Sequence, residues 1–264
     1  MYPSTLLDCM SEKTKNIGWP IANLVAYVLM VLIDSLANII PFNGYTQAEL
    51  SDAIPNYIVP AGYVFSIWGV IYVFMGIYAI YQILPANRNA AFQKAIGPWF
   101  IVGVIGNGTW IFLWHWKQIP LSLMGMLLLL VSLLAIYLRL NIGKSKAEVS
   151  WKERLATQVP FSIYLGWVTV ATIASVAAVL VNAGVPGLDS AAITWTVFIL
   201  LVVTLITELI LWFRKDVVFA LVVTWAVIGI LVKQIEVIPI AVTSGIVLGA
   251  VVSSIAWVLL ISRK

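Results

Sequence analysis

The amino-acid sequence predicts an all-α protein, a polytopic membrane bundle of about eight transmembrane helices that forms one membrane domain over residues 1–264. Hydrophobic residues make up 62% of the chain, charged residues only 10%, and the mean hydropathy is +1.03. A soluble domain contains about 25% charged residues, so the composition indicates an integral membrane protein. The apolar runs are continuous rather than alternating, which excludes an outer-membrane β-barrel.

Eight apolar runs are each long enough to cross a bilayer, which takes about 20 residues. They cover residues 17–40, 60–83, 97–116, 119–142, 156–182, 190–213, 215–233 and 238–261. The connections between them are short and leave no room for a soluble domain. The longest outer connection, 41–59, contains Glu49 and Asp52 but no lysine or arginine, so we expect a mildly acidic lid over the helix ends.

The loop charges predict the orientation. With the N-terminus in the cytoplasm, only Lys117 and Lys233 of the 15 lysine and arginine residues fall on the outer side. Because positive residues favour cytoplasmic loops, we expect both termini inside a bacterial-type cell membrane and an even number of spans. A cleaved signal peptide after Lys13 and Lys15 is the alternative for the first run, but it would leave an odd number. Basic loops of this kind bind anionic lipids, so we expect the lipid bilayer and no nucleic acid as a partner.

The residues that usually carry catalysis or bind metals are scarce. The chain has one cysteine, Cys9, and one histidine, His115, which can form neither an internal disulfide nor a metal site. The sequence shows no Ser–His–Asp set, no carboxylate pair and no phosphate-binding loop. We therefore expect no catalytic residues, no metal and no resident cofactor. We expect His115, beside Trp116, to be a wetted anchor at the membrane boundary.

The second run has one face of large aromatic side chains. Phe65, Trp68 and Tyr72 follow Pro60 at helical spacing, and Met75 continues the same face. A lipid-facing helix has no need for stacked aromatic rings. This face therefore predicts a cavity between helices.

Two further runs show the same kind of face. The third run places on one side Asn107, Trp110 and Trp114. The fifth run places on one side Tyr164, Trp167 and Ala171. An asparagine within a span usually bonds a neighbouring helix, with ligand contact as the alternative for Asn107.

The twelve tryptophans fall into two groups. Trp114 and seven others lie near predicted helix ends, where an aromatic belt is expected without any function. Those that lie deeper are Trp68, Trp110, Trp167 and Trp225. For these four, packing between helices is the alternative to a ligand cavity.

Three polar residues within the runs are candidates for a polar cavity or for ion coupling. Asp34 and Asn38 share a face of the first run, and for Asp34 the alternative is that it reaches the outer headgroups. Glu208 lies six residues before Arg214, so we expect it to pair or to reach the cytoplasmic surface. A role of Glu208 in proton-linked transport is the alternative.

Small residues predict two close helix contacts. In the second run the residues that recur every seven positions are Gly62, Gly69 and Gly76. In the eighth run the residues that recur every four positions are Gly245, Gly249 and Ser253. The second contact is either internal or between two protomers, so a homodimer is a further prediction.

The aromatic faces carry a family resemblance. The spacing of Pro60, Phe65, Trp68, Tyr72 and Met75 resembles the second-helix signature of the tryptophan-rich sensory protein or translocator protein (TspO/MBR) family. The Asn–Trp–Phe pattern that starts at Asn107 is similar to the third-helix pattern of that family. The segment PFSIYLGW, which starts at Pro160, is similar to its fifth-helix segment. Together these motifs cover residues 17–182.

The resemblance implies a five-helix core over 17–182 with a cavity that opens toward the first loop. The three remaining runs, 190–262, resemble the layout of a longer branch of the family. Members are associated with tetrapyrroles such as protoporphyrin and haem, and in some cases with sterols. By position, the cavity would be lined by Trp68, Asn107, Trp110, Tyr164, Trp167 and Ala171. Pro60, Phe65 and Tyr72 belong to the same predicted ligand-binding set.

We therefore predict an integral membrane protein that binds or senses a hydrophobic, tetrapyrrole-like ligand, because flat aromatic guests favour indole faces in an apolar pocket. The alternative is a secondary transporter of such a substrate, although the sequence shows no inverted repeat. A further alternative, implied by the resemblance alone, is an enzyme that degrades porphyrins photo-oxidatively.

Overall fold

The computed structural model describes residues 18–144 and 149–261. The predictions that concern Cys9, Lys13 and Lys15 lie outside these ranges. Within them the chain forms eight long helices and no strand, which confirms the predicted all-α class. The helices are α1 (Gly18–Ile39), α2 (Ile67–Ile83), α3 (Trp99–His115), α4 (Ile119–Arg139), α5 (Val159–Asn182), α6 (Ser190–Arg214), α7 (Val217–Lys233) and α8 (Ile238–Ile261).

Six helical segments are long and apolar enough to cross a membrane. They are Gly18–Ile39, Gly62–Ile83, Ile119–Arg139, Trp151–Asn182, Ser190–Arg214 and Ile238–Ile261. The second includes a 3₁₀ turn before α2, and the fourth includes a π-helical turn, Arg154–Gln158, before α5. α7 is a shorter apolar helix, and α3 has 17 residues. The number of eight spans therefore stays a prediction.

Capping residues determine the first residue of α6 and of α7, which the apolar runs define only approximately. The Asp189 carboxylate accepts a bond from Ala192 N (2.7 Å) and starts α6. The predicted run at 215–233 begins as a helix only at Val217, because the Asp216 carboxylate caps α7 by accepting from Phe219 N (3.1 Å). Lys215, between the two helices, is left-handed with φ 53° and ends α6.

The first five helices form a closed ring in which the order of neighbours is α1, α2, α5, α4, α3 and back to α1. The closest crossing is that of α3 and α4. A Cβ atom on Gly125 of α4 would lie 2.5 Å from Trp110 N of α3, so only glycine allows this approach. α4 therefore forms part of the ring.

The last three helices pack on one another and join the ring mainly through α7. α7 contacts α5 and the 3₁₀ turn Gly62–Ser66, while α6 and α8 lie against α7 and against each other. The division into a core at 17–182 and an extension at 190–262 stays a prediction, but α7 is the element that would connect the two.

The predicted glycine contacts are only partly present. A Cβ on Gly76 would lie 2.6 Å from the Tyr27 hydroxyl of α1, so this glycine does permit a close contact. Cβ atoms on Gly62 and Gly69 would meet nothing within 4 Å, because those positions do not face a neighbouring helix. The same holds for the pair Gly245 and Gly249, so an internal contact there is wrong within the described chain and the homodimer stays a prediction.

Candidate functional site

A buried carboxylate and a buried amide join three helices at the centre of the ring. The Asn107 amide nitrogen of α3 lies 2.9 and 2.8 Å from the two carboxylate oxygens of Asp34 on α1. The Tyr72 hydroxyl of α2 donates to Asp34 Oδ2 at 3.0 Å. Asp34 and Asn107 are each only 1% exposed. The expected interhelical bond of Asn107 is thus present, and its partner is the carboxylate.

The same network reaches α5. The Tyr164 hydroxyl, on a fully buried side chain, donates to Asn107 Oδ1 at 3.2 Å. Asp34 is enclosed by protein, so the alternative in which it reaches the outer headgroups is wrong. Asn38 is exposed, and its amide donates only to the backbone oxygen of Asp34, at 2.9 Å.

Trp68 stacks at the centre of the aromatic layer next to this network. Its ring lies 6.0 Å from that of Tyr72 and 5.8 Å from that of Trp110, with interplanar angles of 24° in both pairs. It meets the rings of Tyr164 and Trp167 edge to face, at 6.0 and 6.1 Å. Rings from α2, α3 and α5 therefore converge, as the sequence predicted. Offset-stacked and edge-to-face contacts are the arrangements that aromatic pairs favour.

Four indole N–H groups of this site have no hydrogen-bond acceptor among the described residues. They belong to Trp68, Trp110, Trp114 and Trp167, which are 2% to 6% exposed. A buried indole N–H usually finds an acceptor, because leaving one unmade costs about 1–3 kcal/mol. Four such donors in one cluster are therefore an unusual concentration of unused hydrogen-bonding capacity.

A small cavity of about 40 Å³ lies between three of these indoles, those of Trp110, Trp114 and Trp167, and the first loop. Its lining comes from α3, α5 and the loop, and it includes Gln47, Ser51, Asn56, Pro60, Phe65, Trp110, Trp114, Trp167, Ala171 and Ser175. Pockets for drug-sized ligands measure about 300–1,000 Å³. A larger guest would therefore enter only if the loop moved.

The first loop is fastened at its beginning to α3. The Asn43 amide donates to His115 O at 3.0 Å, and Phe42 stacks on Phe112 at 5.4 Å. The loop then forms a short helix, Gln47–Asp52, with a capping box in which Thr46 and Glu49 bond each other reciprocally. Those hydrogen bonds, first that of the Thr46 backbone, hold the pKa of the Glu49 carboxyl below its ordinary value.

The end of the loop is fastened to α7 and to the connection between α5 and α6. Lys233, at the end of α7, forms an ion pair with Asp52. The Tyr57 hydroxyl donates to Leu188 O at 2.9 Å, and Ala61 N donates to Gly229 O at 3.1 Å. The lid predicted from loop 41–59 is therefore held from the side of α6 and α7.

A second apolar cavity lies outside the ring, between the loop ends of α5 and α6. Its volume is about 390 Å³, and its lining includes Tyr57, Thr172, Val176, Leu180, Pro186 and Trp195. This groove lies on the far side of α5 from the aromatic site. It is the natural alternative location for a hydrophobic ligand.

The predicted site residues fall into two layers. Those around the cavity are Pro60, Phe65, Trp110, Trp167 and Ala171. Those packed beneath it are Trp68, Tyr72, Asn107 and Tyr164. Trp114, predicted for the aromatic belt, is buried and lines the cavity instead, although it shares a helical face with Asn107. The loop residues Gln47, Ser51 and Asn56 also line the cavity, and no pattern in the sequence predicts this.

The structure also decides the surroundings of His115, Glu208 and Trp225. His115 is fully buried with Nδ1 2.7 Å from Ile111 O, because Phe42 of the loop covers it, so it is no wetted anchor. Glu208 accepts from Trp212 Nε1 (3.1 Å), while Arg214 bonds Ile142 O, so the pairing of Glu208 with Arg214 is absent and its reach to the cytoplasmic surface stays a prediction. The fourth deep tryptophan, at position 225, lies outside the site and donates to the backbone of the 3₁₀ turn.

The comparison with protein families decides the assignment. The model of the TSPO-like protein family matches residues 20–259, which includes all eight helices almost to their ends. The chain belongs to the TSPO-like protein family. As a TSPO-like protein with several apolar helices it is an integral membrane protein. None of the curated proteins and none of the solved structures matches it significantly.

Proposed function

We propose that this TSPO-like protein binds or senses a flat hydrophobic ligand, a tetrapyrrole such as protoporphyrin or haem, in the aromatic site under the first loop. The observation that carries the proposal is the cluster of four buried indole N–H groups that find no acceptor in the part of the chain that the structure describes. A tetrapyrrole offers a flat π-system for the indole faces and carboxylates that accept hydrogen bonds. Family membership supports the same ligand class.

Ligand entry in this proposal requires the loop to lift, because the cavity of about 40 Å³ is far below the size of a ligand pocket. Such gating motions of loops are common and occur on the microsecond to millisecond timescale. The contacts of Asp52, Tyr57 and Ala61 with α7 and with the connection between α5 and α6 would then control the rate of entry. We call these contacts of Asp52, Tyr57 and Ala61 the latch, because they would hold the lid closed.

The binding proposal predicts that the indole N–H groups matter more than the ring faces. Replacing Trp110 and Trp167 together by phenylalanine keeps aromatic faces but removes two donors. We expect the affinity for protoporphyrin to fall about tenfold, the worth of one hydrogen bond to a charged acceptor. The measurement is a fluorescence-quenching titration of the protein in detergent.

The control for that titration is Trp195→Phe, which removes an indole from the groove outside the ring. It should leave the affinity unchanged. If Trp195→Phe weakens binding and the double variant does not, the ligand occupies the outer groove and the proposed site is wrong.

The latch predicts an effect on rate. Replacing Lys233 by methionine removes the ion pair with Asp52, and exposed pairs are worth about 0.2–1 kcal/mol. We therefore expect stopped-flow binding of protoporphyrin to become up to about fivefold faster. Lys233→Arg, which keeps the charge, should bind at the original rate. Equal rates in all three proteins would show that this contact does not limit entry.

A secondary transporter is the second candidate, and the buried Asp34 favours it. Ionisable residues inside a membrane domain are costly and commonly mark ion or proton pathways. The carboxylate of Asp34 lies among the hydroxyl groups of Tyr72 and Tyr164, which are able to relay protons. Uptake of protoporphyrin into proteoliposomes along a proton gradient distinguishes the transporter from a protein that only binds.

A further inference from the structure

A third cavity lies at the opposite end of the helices from the first loop. Its volume is about 360 Å³, and it lies between the end of α4, the start of α5 and the α6–α7 turn. Three cationic side chains line it, namely Arg154, Arg214 and Lys215. In the predicted orientation this end faces the cytoplasm.

The geometry of this cavity is fixed by close backbone packing. Gly143, with φ +78°, lies so near to Arg214 O that no Cβ atom would fit between them. The Arg214 guanidinium donates to Ile142 O at 3.0 Å and lies 5.1 Å over the ring of Tyr137. One wall is therefore a preorganised arginine rather than a mobile surface residue.

The single carboxylate in the lining is already engaged by protein. Asp216 is 6% exposed, and its Oδ2 accepts from the Ser162 hydroxyl at 2.7 Å while Oδ1 accepts from Phe219 N. These two bonds hold the carboxylate at the start of α7. Neither Arg154 nor Lys215 forms an ion pair with any residue in 18–144 or 149–261. Arg154 and Lys215 thus face the cavity without an ion pair to a described residue, and the three cations of the lining outnumber its one carboxylate.

We propose that this cavity binds a phosphate group that carries a net negative charge, the chemistry shared by anionic lipid headgroups and soluble phosphate esters. Arginine matches phosphate oxygens with two parallel N–H donors, and lysine supplies a point charge beside it. Basic pockets between transmembrane helices at the membrane boundary are typical sites for anionic headgroups. The volume is also sufficient for one headgroup.

The test uses the full chain in neutral detergent, with phosphatidylglycerol, phosphatidylcholine and glycerol 3-phosphate as the three probes. Binding is measured by native mass spectrometry and by the rise in melting temperature. Arg154→Gln together with Lys215→Gln should weaken the binding of phosphatidylglycerol about a hundredfold, since each direct hydrogen bond to a charged phosphate that is lost costs about tenfold. Arg214 is kept because it also holds the α4 turn.

The control carries Lys94→Gln and Lys152→Gln, which remove two charges at the same end of the helices but outside the cavity. It should bind phosphatidylglycerol within about threefold of the original protein, as only general attraction to the surface changes. Preference for phosphatidylglycerol alone identifies a lipid headgroup, and equal dependence on glycerol 3-phosphate identifies a soluble phosphate. Equal losses in both double variants, or equal binding of phosphatidylcholine, would overturn the proposal. Melting temperatures without any probe check that both double variants are folded.

Discussion

Replacement of Asn107 by leucine is expected to lower the free energy of unfolding by about 3 kcal/mol, the cost of leaving a buried charged group without its partner. The Asn107 amide nitrogen contacts both oxygens of Asp34, and the carboxylate would retain only the Tyr72 hydroxyl. Water cannot replace the lost donor because Asp34 is enclosed between α1, α2 and α3. Unfolding in mixed micelles with rising SDS measures the difference.

A matched control comes from the neighbouring interface of α1 with α2. The hydroxyl of Tyr27 donates to the backbone oxygen of Tyr72 at 3.1 Å, so Tyr27→Phe removes one neutral interhelical bond. Its expected cost is about 1 kcal/mol. If Asn107→Leu and Tyr27→Phe lower the free energy of unfolding equally, the Asp34 carboxylate does not need the amide of Asn107 as a partner.

The double variant Asp34→Leu with Asn107→Leu distinguishes the contribution of the hydrogen bond between the two side chains from the cost of burying an unpaired polar group. Exchanging both members of a buried polar pair for apolar residues is often neutral or stabilising, so the double variant should recover most of the loss. A loss that simply adds would mean that the two positions act independently.

The convergence of the aromatic rings could be predicted from sequence because it depends on helical periodicity alone. Residues at i, i+3 and i+7 share a face, and a face of large rings in an apolar run has little reason to meet lipid. Trp68, Trp110 and Trp167 each followed that pattern and do meet in one cluster. The same rule applies to Trp114. Its helical face, shared with Trp110, decides that it is buried, and its position near a helix end does not.

The partner of Asp34 could not be predicted, because periodicity does not say which helices become neighbours. Asp34 and Asn107 are 73 positions apart, and they meet because α1 lies between α2 and α3 in the ring. A cavity between helices was predicted, but its size and its roof could not be. Its roof depends on the path of the loop, which Asn43, Tyr57 and Ala61 fix through bonds to distant backbone atoms.

The polar network and the lid give the site two different kinds of contact. Beneath the indoles, Asp34, Asn107 and Tyr164 hold α1, α3 and α5 through bonds that are fully buried. Above them, the Asp52–Lys233 pair lies near the surface, where such pairs contribute little. A site with a rigid floor and a weakly held roof can open toward the loop without loss of its aromatic geometry.

Gly125→Ala is expected to destabilise the protein by about 3 kcal/mol, the upper part of the range for overpacked cores. The added Cβ would lie 2.5 Å from Trp110 N and 2.9 Å from Gly106 O, both of them backbone atoms of α3. A side chain could rotate away, but helix backbone cannot, so α3 and α4 must move apart. Because α3 bears Trp110 and Trp114, the shift should also change tryptophan emission.

The control substitution Gly108→Ala should have the opposite sign. A Cβ on Gly108, also in α3, would meet nothing within 4 Å, and alanine is favoured over glycine in a helix by up to about 1 kcal/mol. Gly108→Ala should therefore keep or raise the melting temperature and leave the emission unchanged. If both variants shift the melting temperature in the same direction, α3 and α4 do not cross at Gly106 and Gly125. The packing of α3 on α4 would then not be what holds Trp110 at the cavity.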